Sequence, residues 1–394
     1  MMFDRLWKLI ATGIAFTSTG AHAQQVIELT PTSNVAAVLN LLKPGDTLRV
    51  TGVFNSTLRL RNRDFGGMTI DASQAILSEG VHLQNVQNAN FKGGIIGRTD
   101  ADTRDWATLR IDNSLHISVS GTTVIGNGNM RGAGIRVTGS EYTTIRDNNL
   151  SGHLGSIVLI SSNNSLITRN NMTQASSDGI NVVDSQRVLV SSNRCHSFTP
   201  GPGAHADCIQ LWSLAGKPLQ SDIFVINNSA IGNIQAFLSS DPKTESGTRI
   251  TFAGNYAAVS TTHTITCGNC TNSVAFENVL ANLPNAIRGA GSLKFGPSPT
   301  NLLYNNQFFD LRGRTDGWMP TPTWTSFVPF IAGQVGSQWD NRSFGFQLTS
   351  NFLGVGNAVP EPASWLLFGL GFAAVGRTLR QMRSDRHGLR RVLA

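Results

Sequence analysis

Acid–base chemistry on a polymer needs carboxyl and imidazole groups gathered in a cleft, with polar or flat side chains beside them to hold the ligand. The stretch Gly203-Ala204-His205-Ala206-Asp207-Cys208-Ile209-Gln210-Leu211-Trp212 brings such groups together. If Ile209 and Leu211 face a core, strand alternation turns Gln210 and Trp212 outward. Asp178-Gly179-Ile180-Asn181 is built the same way. Aligned with the first run, it sets Asp178 beside Asp207 and Asn181 beside Gln210. Two stacked carboxylates about 5 Å apart repel and raise a pKa, which acid–base and metal sites both exploit. His205, Asp207, Asp178 and Lys217 are therefore the catalytic candidates. Gln210, Trp212 and Asn181 are candidates for holding a substrate, with Trp212 suited to stacking on a sugar ring. Each has a plainer reading: an Asp before Gly-Ile caps turns through the following amides, and a loop histidine is commonly just solvated. His196 and His153 carry weaker signals.

Three kinds of action fit. Lyase chemistry on uronic acids needs a carboxylate neutraliser, a base and an acid, which Lys217, Arg249, Arg187 and His205 could supply. Hydrolysis needs two or three acids in one cleft; Asp178 and Asp207 qualify, Asp184 less so. The third is no catalysis: a rigid surface rod that binds polysaccharide. The residues name no metal ligand set and leave any need for Ca²⁺ open.

A repeat must position these groups. Segments ending in Asn127, Asn149, Asn171, Asn193, Asn228, Asn255, Asn278 and Asn306 are spaced by 22, 22, 22, 35, 27, 23 and 28 residues. A second column of short strands alternates with them: Ile135–Val137, Ile157–Leu159, Ile180–Val182 and Ile209–Leu211. No single turn of this length buries its apolar face alone, but stacked turns do, at about 4.8 Å per rung. The fold expected is an all-β, single-stranded, right-handed parallel β-helix. An antiparallel sandwich is the rival, although its turns would not carry Asn at a fixed phase. Asn127, Asn149, Asn171 and Asn193 are expected in one column as an internal amide ladder. The repeat breaks most between Asn193 and Asn228, where loops Ser197–Ala206 and Ser213–Asp222 lengthen on both sides of Ile209–Leu211. Such loops wall grooves, so this turn is the expected site.

Val35–Leu42 has apolar residues at helical spacing and is stopped by Lys43-Pro44-Gly45-Asp46; it is expected to cap the first turn. The run Leu39–Val50, followed by Thr69-Ile70 and Phe91–Ile96, resembles the start of chondroitinase-B-like polysaccharide lyases and related pectate-lyase-like β-helix proteins. The resemblance implies the fold more than an activity. The consecutive-Asp motif of polygalacturonase-type hydrolases is absent. Trp318–Phe352, with Trp318, Trp324 and Trp339, is expected to form a C-terminal cap or a Trp-rich extension that stacks on carbohydrate.

The ends read as addresses. Arg5 and Lys8, an apolar run Leu9–Phe16 and Ala21-His22-Ala23 form a secretory signal. Val359-Pro360-Glu361-Pro362-Ala363-Ser364 leads into an apolar span of about 364–376, then Arg377, Arg380, Arg383, Arg386, Arg390 and Arg391. This order resembles the PEP-CTERM sorting tail of Gram-negative bacteria. The resemblance implies processing by an exosortase, after signal peptidase, and export to the periplasm, outer surface or extracellular matrix, in company with exopolysaccharide. The division expected is 1–23 signal, 24–317 β-helix with its cap, 318–358 C-terminal cap or extension, and 359–394 sorting tail, with membrane contact only through that tail.

Of the formal charge of +7, the signal carries one unit and the segment from Glu361 four, leaving +2 for 24–360. The basic balance belongs to the tail and gives no reason to expect a nucleic-acid partner. The four cysteines, Cys195, Cys208, Cys267 and Cys270, allow three disulfide connectivities in an exported chain. Cys195–Cys208 would close a loop and Cys267–Cys270 a local turn. A redox or zinc role for Cys267-Gly268-Asn269-Cys270 lacks a second ligand pair at suitable spacing.

Because the tail shares no pattern with the body, deleting Val359 onward should leave a folded protein that is exported but no longer surface-associated. Fractionation and thermal melting check this; an unfolded product would make the tail part of the core.

Overall fold

In the computed structural model, the described residues are 24–97, 107–126, 132–239, 247–261, 263–286, 293–296, 298–317 and 319–320. The signal, Asn127, Trp318 and everything from 321 onward, with the sorting tail, lie outside them. Among the described residues no helix is long and apolar enough to cross a membrane.

The chain winds as a parallel β-solenoid with three strands per turn, each pairing in parallel with its counterparts one turn before and after. The first sheet contains Ala107–Asp112, Ala133–Thr138, Gly155–Ile160, Ile180–Val183, Asp207–Trp212, Gln235–Ser239, Ile265–Cys267 and Leu293–Phe295. The second runs through Thr144–Arg146, Ser165–Thr168, Gln186–Ser191 and Ser221–Ile226. The third runs through Asn149–Ser151, Asn171–Thr173, Arg194–His196 and Ser229–Gly232. Near the N-terminus the strands merge around the corners, so Leu58–Leu77 serves all three sheets.

The register carries the core. Val81, Leu109, Ile135, Ile157, Ile180, Ile209, Phe237, Ile265 and Leu293 form one inward column of the first sheet. All but Leu293 at the last rung are buried. Period-two alternation places their neighbours outside. A helix does form at Val35–Leu41, capped by the Asn34 side chain accepting from the Ala37 amide at 3.1 Å, and Leu39 and Leu42 join the core. The strand before it, Val26–Leu29, pairs with Thr47–Val50; four residues with little alternation gave no warning of it.

The asparagine ladder contains Asn193 as expected, but Asn148 and Asn170 hold the places expected of Asn149 and Asn171. Asn149 and Asn171 do share a column, but they pair onward with Arg194, on the outer surface. The buried ladder is Thr122, Asn148, Asn170, Asn193, Asn228, Asn255, Asn278 and Asn306. The equal spacing from 149 to 193 misled because the turn between Thr173 and Ile180 holds one more residue than the turn between Ser151 and Ile157 before it. Each ladder Oδ1 accepts twice from the rung before: Asn193 Oδ1 takes the Asn170 amide at 3.0 Å and the Asn170 Nδ2 at 2.9 Å. Each Nδ2 also donates to a backbone carbonyl, as Asn193 does to Ile167 at 2.9 Å. The residue before each ladder position turns the corner with positive φ: Asp147, Arg169, Ser192, Asn227, Gly254, Glu277 and Asn305. That corner leaves backbone groups turned inward without strand partners, and the amides satisfy them.

Asn193→Ala should therefore cost about 2–3 kcal/mol, since it strands buried donors and acceptors on three rungs. Asn149→Ala, on the exposed neighbour, should stay within about 0.5 kcal/mol. Chemical denaturation of both variants checks this.

Candidate functional site

The first sheet's outward face holds the expected groups. In register, Val158, Asn181 and Gln210 form one outward column, and Ile160, Val183 and Trp212 the next. Trp212 is half-buried and its indole N–H donates to Asn181 Oδ1 at 3.1 Å. Asn181 Nδ2 donates in turn to Asp178 Oδ2 at 3.0 Å. The other oxygen of Asp178 accepts the Asp207 amide at 3.0 Å. Asp178 and Asp207 are thus stacked as the alignment implied.

Asp207 differs from expectation in one respect. It is not at the rim of the groove: its side chain is 0% exposed, whereas that of His205, whose Nδ1 lies 3.2 Å from Asp207 Oδ2, is 64% exposed. The reason is positional. Asp207 opens its strand next to the disulfide Cys195–Cys208, on the rung pinned beneath the Asp178 carboxylate. The His205 ring is open to solvent, and the Asp207 carboxyl beneath it is not. Asp207 Oδ1 is buried with no hydrogen-bond partner. Burial, then the neighbouring Asp178 charge, push the Asp207 carboxyl up to about 8. Burial also raises Asp178, opposed by its hydrogen bonds from Asn181 and the Asp207 amide. Near neutral pH Asp207 therefore holds a proton it can share with His205 Nδ1.

Gly179 makes this closeness feasible. A Cβ there would lie 2.5 Å from the Cys208 carbonyl oxygen and 2.8 Å from Cys195 Sγ. Any side chain between Asp178 and Ile180 would push the next rung and its disulfide away. The second disulfide joins Cys267 to Cys270, so both bridges are local.

Lys217 is not drawn in. It lies exposed in a turn closed by its amide on the Leu214 carbonyl at 3.0 Å, outside the Trp212–Asn181–Asp178–Asp207 chain of hydrogen bonds. His153 is buried, bonded through Nε2 to the Val124 carbonyl at 3.2 Å, and desolvation lowers it to about 4; its role is internal. His196 bonds Asn171 and Ser197 on the third sheet, another face. Arg187 bonds Asn164, and Arg249 pairs with Asp222 at 2.7 Å, so neither faces the dyad.

Two neighbours were missed. Gln235 follows Asp207 in register, and His263 is next in that column. His263 Nδ1 is buried without a partner, and burial first, then Lys294 and His205, lower its pKa. No repeated Asp-Gly-Ile marks this turn in the sequence, so only the register finds it.

Further toward the N-terminus the same outward columns hold Arg59, His82, Arg110 and Arg136, beside Arg61, Gln84, Asp112 and Thr138. These arginines stand in strands whose alternation reads as ordinary polar-out patterning, which concealed them.

Against known families, residues 61–213 match the one described as periplasmic copper-binding protein (NosD), and 358–381 match the PEP-CTERM protein-sorting motif. No curated protein matches the chain. Among solved structures, the periplasmic alginate epimerase AlgG is similar at 13% identity, over 67% of this chain and 77% of that one, with a TM-score of 0.40. A DFA-IIIase from Arthrobacter chlorophenolicus A6 in complex with GF2 is similar at 12% identity, over 73% and 88%, with a TM-score of 0.47. A GH136 lacto-N-biosidase from Eubacterium ramulus is similar at 12% identity, over 72% and 68%, with a TM-score of 0.45. The body is a parallel β-solenoid, and the C-terminus carries the PEP-CTERM motif. Among the described residues the donors do not fit copper. Among the described residues no group of three or more His, Cys, Asp or Glu could hold a metal ion. The cysteines, the softest ligands for copper, are all in disulfides.

The buried carboxyl sets a pH dependence of stability. Folded Asp207 keeps its proton to about pH 8, whereas the unfolded chain loses it near 3.8. Between those values the folded state binds more protons, so stability should fall as pH rises from about 4 to about 8. Asp207→Asn should flatten that slope. Denaturation at pH 4, 6 and 8 checks this; an unchanged slope would place the excess proton elsewhere.

Proposed function

We propose that this is an exported, envelope-associated protein that binds polysaccharide along the outward face of the first sheet and acts on it at His205. The observation that carries this reading is the exposed imidazole seated on a buried, proton-holding carboxyl. A buried acid with no opening to solvent has little value for stability, because its desolvation is a cost. As a partner that exchanges a proton with an exposed imidazole, it sets up general acid–base chemistry.

His205 is the residue that touches substrate. With Nδ1 on Asp207, its Nε2 is free of protein partners and can give a proton to, or take one from, a sugar oxygen or ring carbon. Asp207 is a positioning residue: it orients the ring and supplies the exchangeable proton. Asp178 holds the Asp207 backbone and sets its charge. Gln210, Asn181 and Trp212 line the adjoining surface, where Trp212 offers one ring face to a sugar. The PEP-CTERM tail supports sorting by an exosortase to the outer envelope, the compartment where an exopolysaccharide and a disulfide-bonded chain meet.

His205→Ala should lower depolymerisation of the producing bacterium's exopolysaccharide by about a hundredfold or more with the fold intact. Asp207→Asn should shift the pH profile of kcat, and Trp212→Ala should raise KM. Product size and the ultraviolet absorbance of unsaturated ends separate hydrolysis from elimination. Full turnover by His205→Ala would remove the catalytic reading. Unchanged affinity in Trp212→Ala would remove the binding face.

A further inference from the structure

We infer that Arg59, Arg110 and Arg136 form an anion site on the N-terminal rungs of the first sheet, which holds a carboxylate or sulfate group of the polysaccharide several rungs away from His205. This rests on reading the first sheet as the polymer-binding face, and it adds what kind of polymer fits.

The placement comes from the register. Arg59, His82, Arg110 and Arg136 are consecutive in one outward column, and Arg61 and Asp112 belong to the column beside it. Among the described residues of these columns, four guanidinium groups and one carboxylate therefore share four rungs, spaced at about 4.8 Å. The whole of 24–360 carries only +2, so the cluster is a local concentration and not a general basicity. Stacked like charges repel, and nothing in the solenoid's packing requires arginines there, since outward positions of the same column further on are Val158, Asn181 and Gln210.

Asp112, the carboxylate among the described residues of these columns, does not balance four guanidinium groups. Asp112 is buried and engaged: its Oδ2 meets His82 Nε2 at 2.9 Å and Arg110 Nε at 2.5 Å. The other ring nitrogen of His82 faces Arg59 Nη1 at 3.4 Å. His82, buried with both nitrogens occupied, is a strut between arginine and aspartate and not a base. Arg59 and Arg61 are exposed. Arg136 is half-buried, and its Nε is buried with no hydrogen-bond partner. A half-buried guanidinium whose Nε donor is unused, next to further guanidinium groups, is suited to an oxyanion that accepts two parallel hydrogen bonds.

Position gives the inference its content. From Arg136 to Gln210 is three rungs, about 14 Å, and the dyad's surroundings are carboxyl, amide and indole. The anionic group and the bond acted on are thus different parts of one chain. A polymer with acidic groups set among other sugars satisfies both ends; a short neutral oligosaccharide satisfies only one.

The test uses the intact secreted protein with three probes: polygalacturonate, dextran sulfate and dextran, followed by calorimetry. Polygalacturonate or dextran sulfate should bind, with affinity falling as ionic strength rises past about 0.1 M; whichever binds tighter distinguishes carboxylate from sulfate. Dextran should bind at least about tenfold more weakly. The double variant Arg59→Ala/Arg136→Ala should lose about tenfold or more for the anionic probes, with Arg169→Ala, whose guanidinium pairs with Asp147 on another face, as an unaffected control. Circular dichroism confirms the fold of each. Anionic probes that bind the double variant as tightly as the parent, or dextran bound equally well, would overturn the inference. If anionic binding behaves as stated while the exopolysaccharide is not cut, the catalytic reading of His205 fails and the anion site stands. If cutting proceeds and is indifferent to the arginines, the reverse holds.

Discussion

The ladder of buried side-chain amides holds the corner between the second and third sheets, and the placement of everything else depends on it. A solenoid turn must reverse direction with few residues, and a corner with positive φ leaves inward backbone groups without strand partners. From Asn148 to Asn306 one amide per rung satisfies them and, by bonding the next amide, transmits the register. A slip of one residue in one rung would turn every inward Ile and Val of that strand outward. The ladder therefore does more than stabilise a corner: it fixes which residues of the first sheet face out, and so which can meet a ligand.

The site is a departure that this regularity permits. Long loops before and after Asp207–Trp212 add chain entropy, yet the strand between them keeps its pairing on both sides. Gly179 lets the Cys195–Cys208 bridge press against the preceding rung, and the bridge fixes the strand start that carries Asp207. Burial then does the electrostatic work. The same removal from water that makes a carboxyl expensive as an ion keeps it protonated beside an exposed imidazole.

Much of this was legible in the sequence, for reasons that differ by residue. The 22-residue period and the Ile-x-Val and Ile-x-Leu strands announced stacked turns, because core burial must recur once per rung. The alignment of Asp178 with Asp207 and of Asn181 with Gln210 held because Asp-x-Ile, in Asp178-Gly179-Ile180 and Asp207-Cys208-Ile209, fixes the phase of its strand. The ladder column was misassigned because adjacent asparagines, as in Asn148-Asn149, look alike in one dimension, and only the corner's handedness tells inside from outside. Asp207 shares the parity of the inward Ile209 and Leu211 and is buried as that parity implies; reading it as an acid of the groove passed over the pattern. His263 and the stacked arginines went unseen because their kinship lies across rungs, between residues more than twenty positions apart.

The nearest-neighbour character of the stack has a mechanical side. Each rung touches only the rungs above and below, so a load entering at the C-terminal end is carried in series, one rung at a time. Gln235–Ser239, Ile265–Cys267 and Leu293–Phe295 stand between the dyad's strand and that end. With the sorting motif at the C-terminus, a pull from that side would have to open these rungs before it reached the strand that carries Asp207.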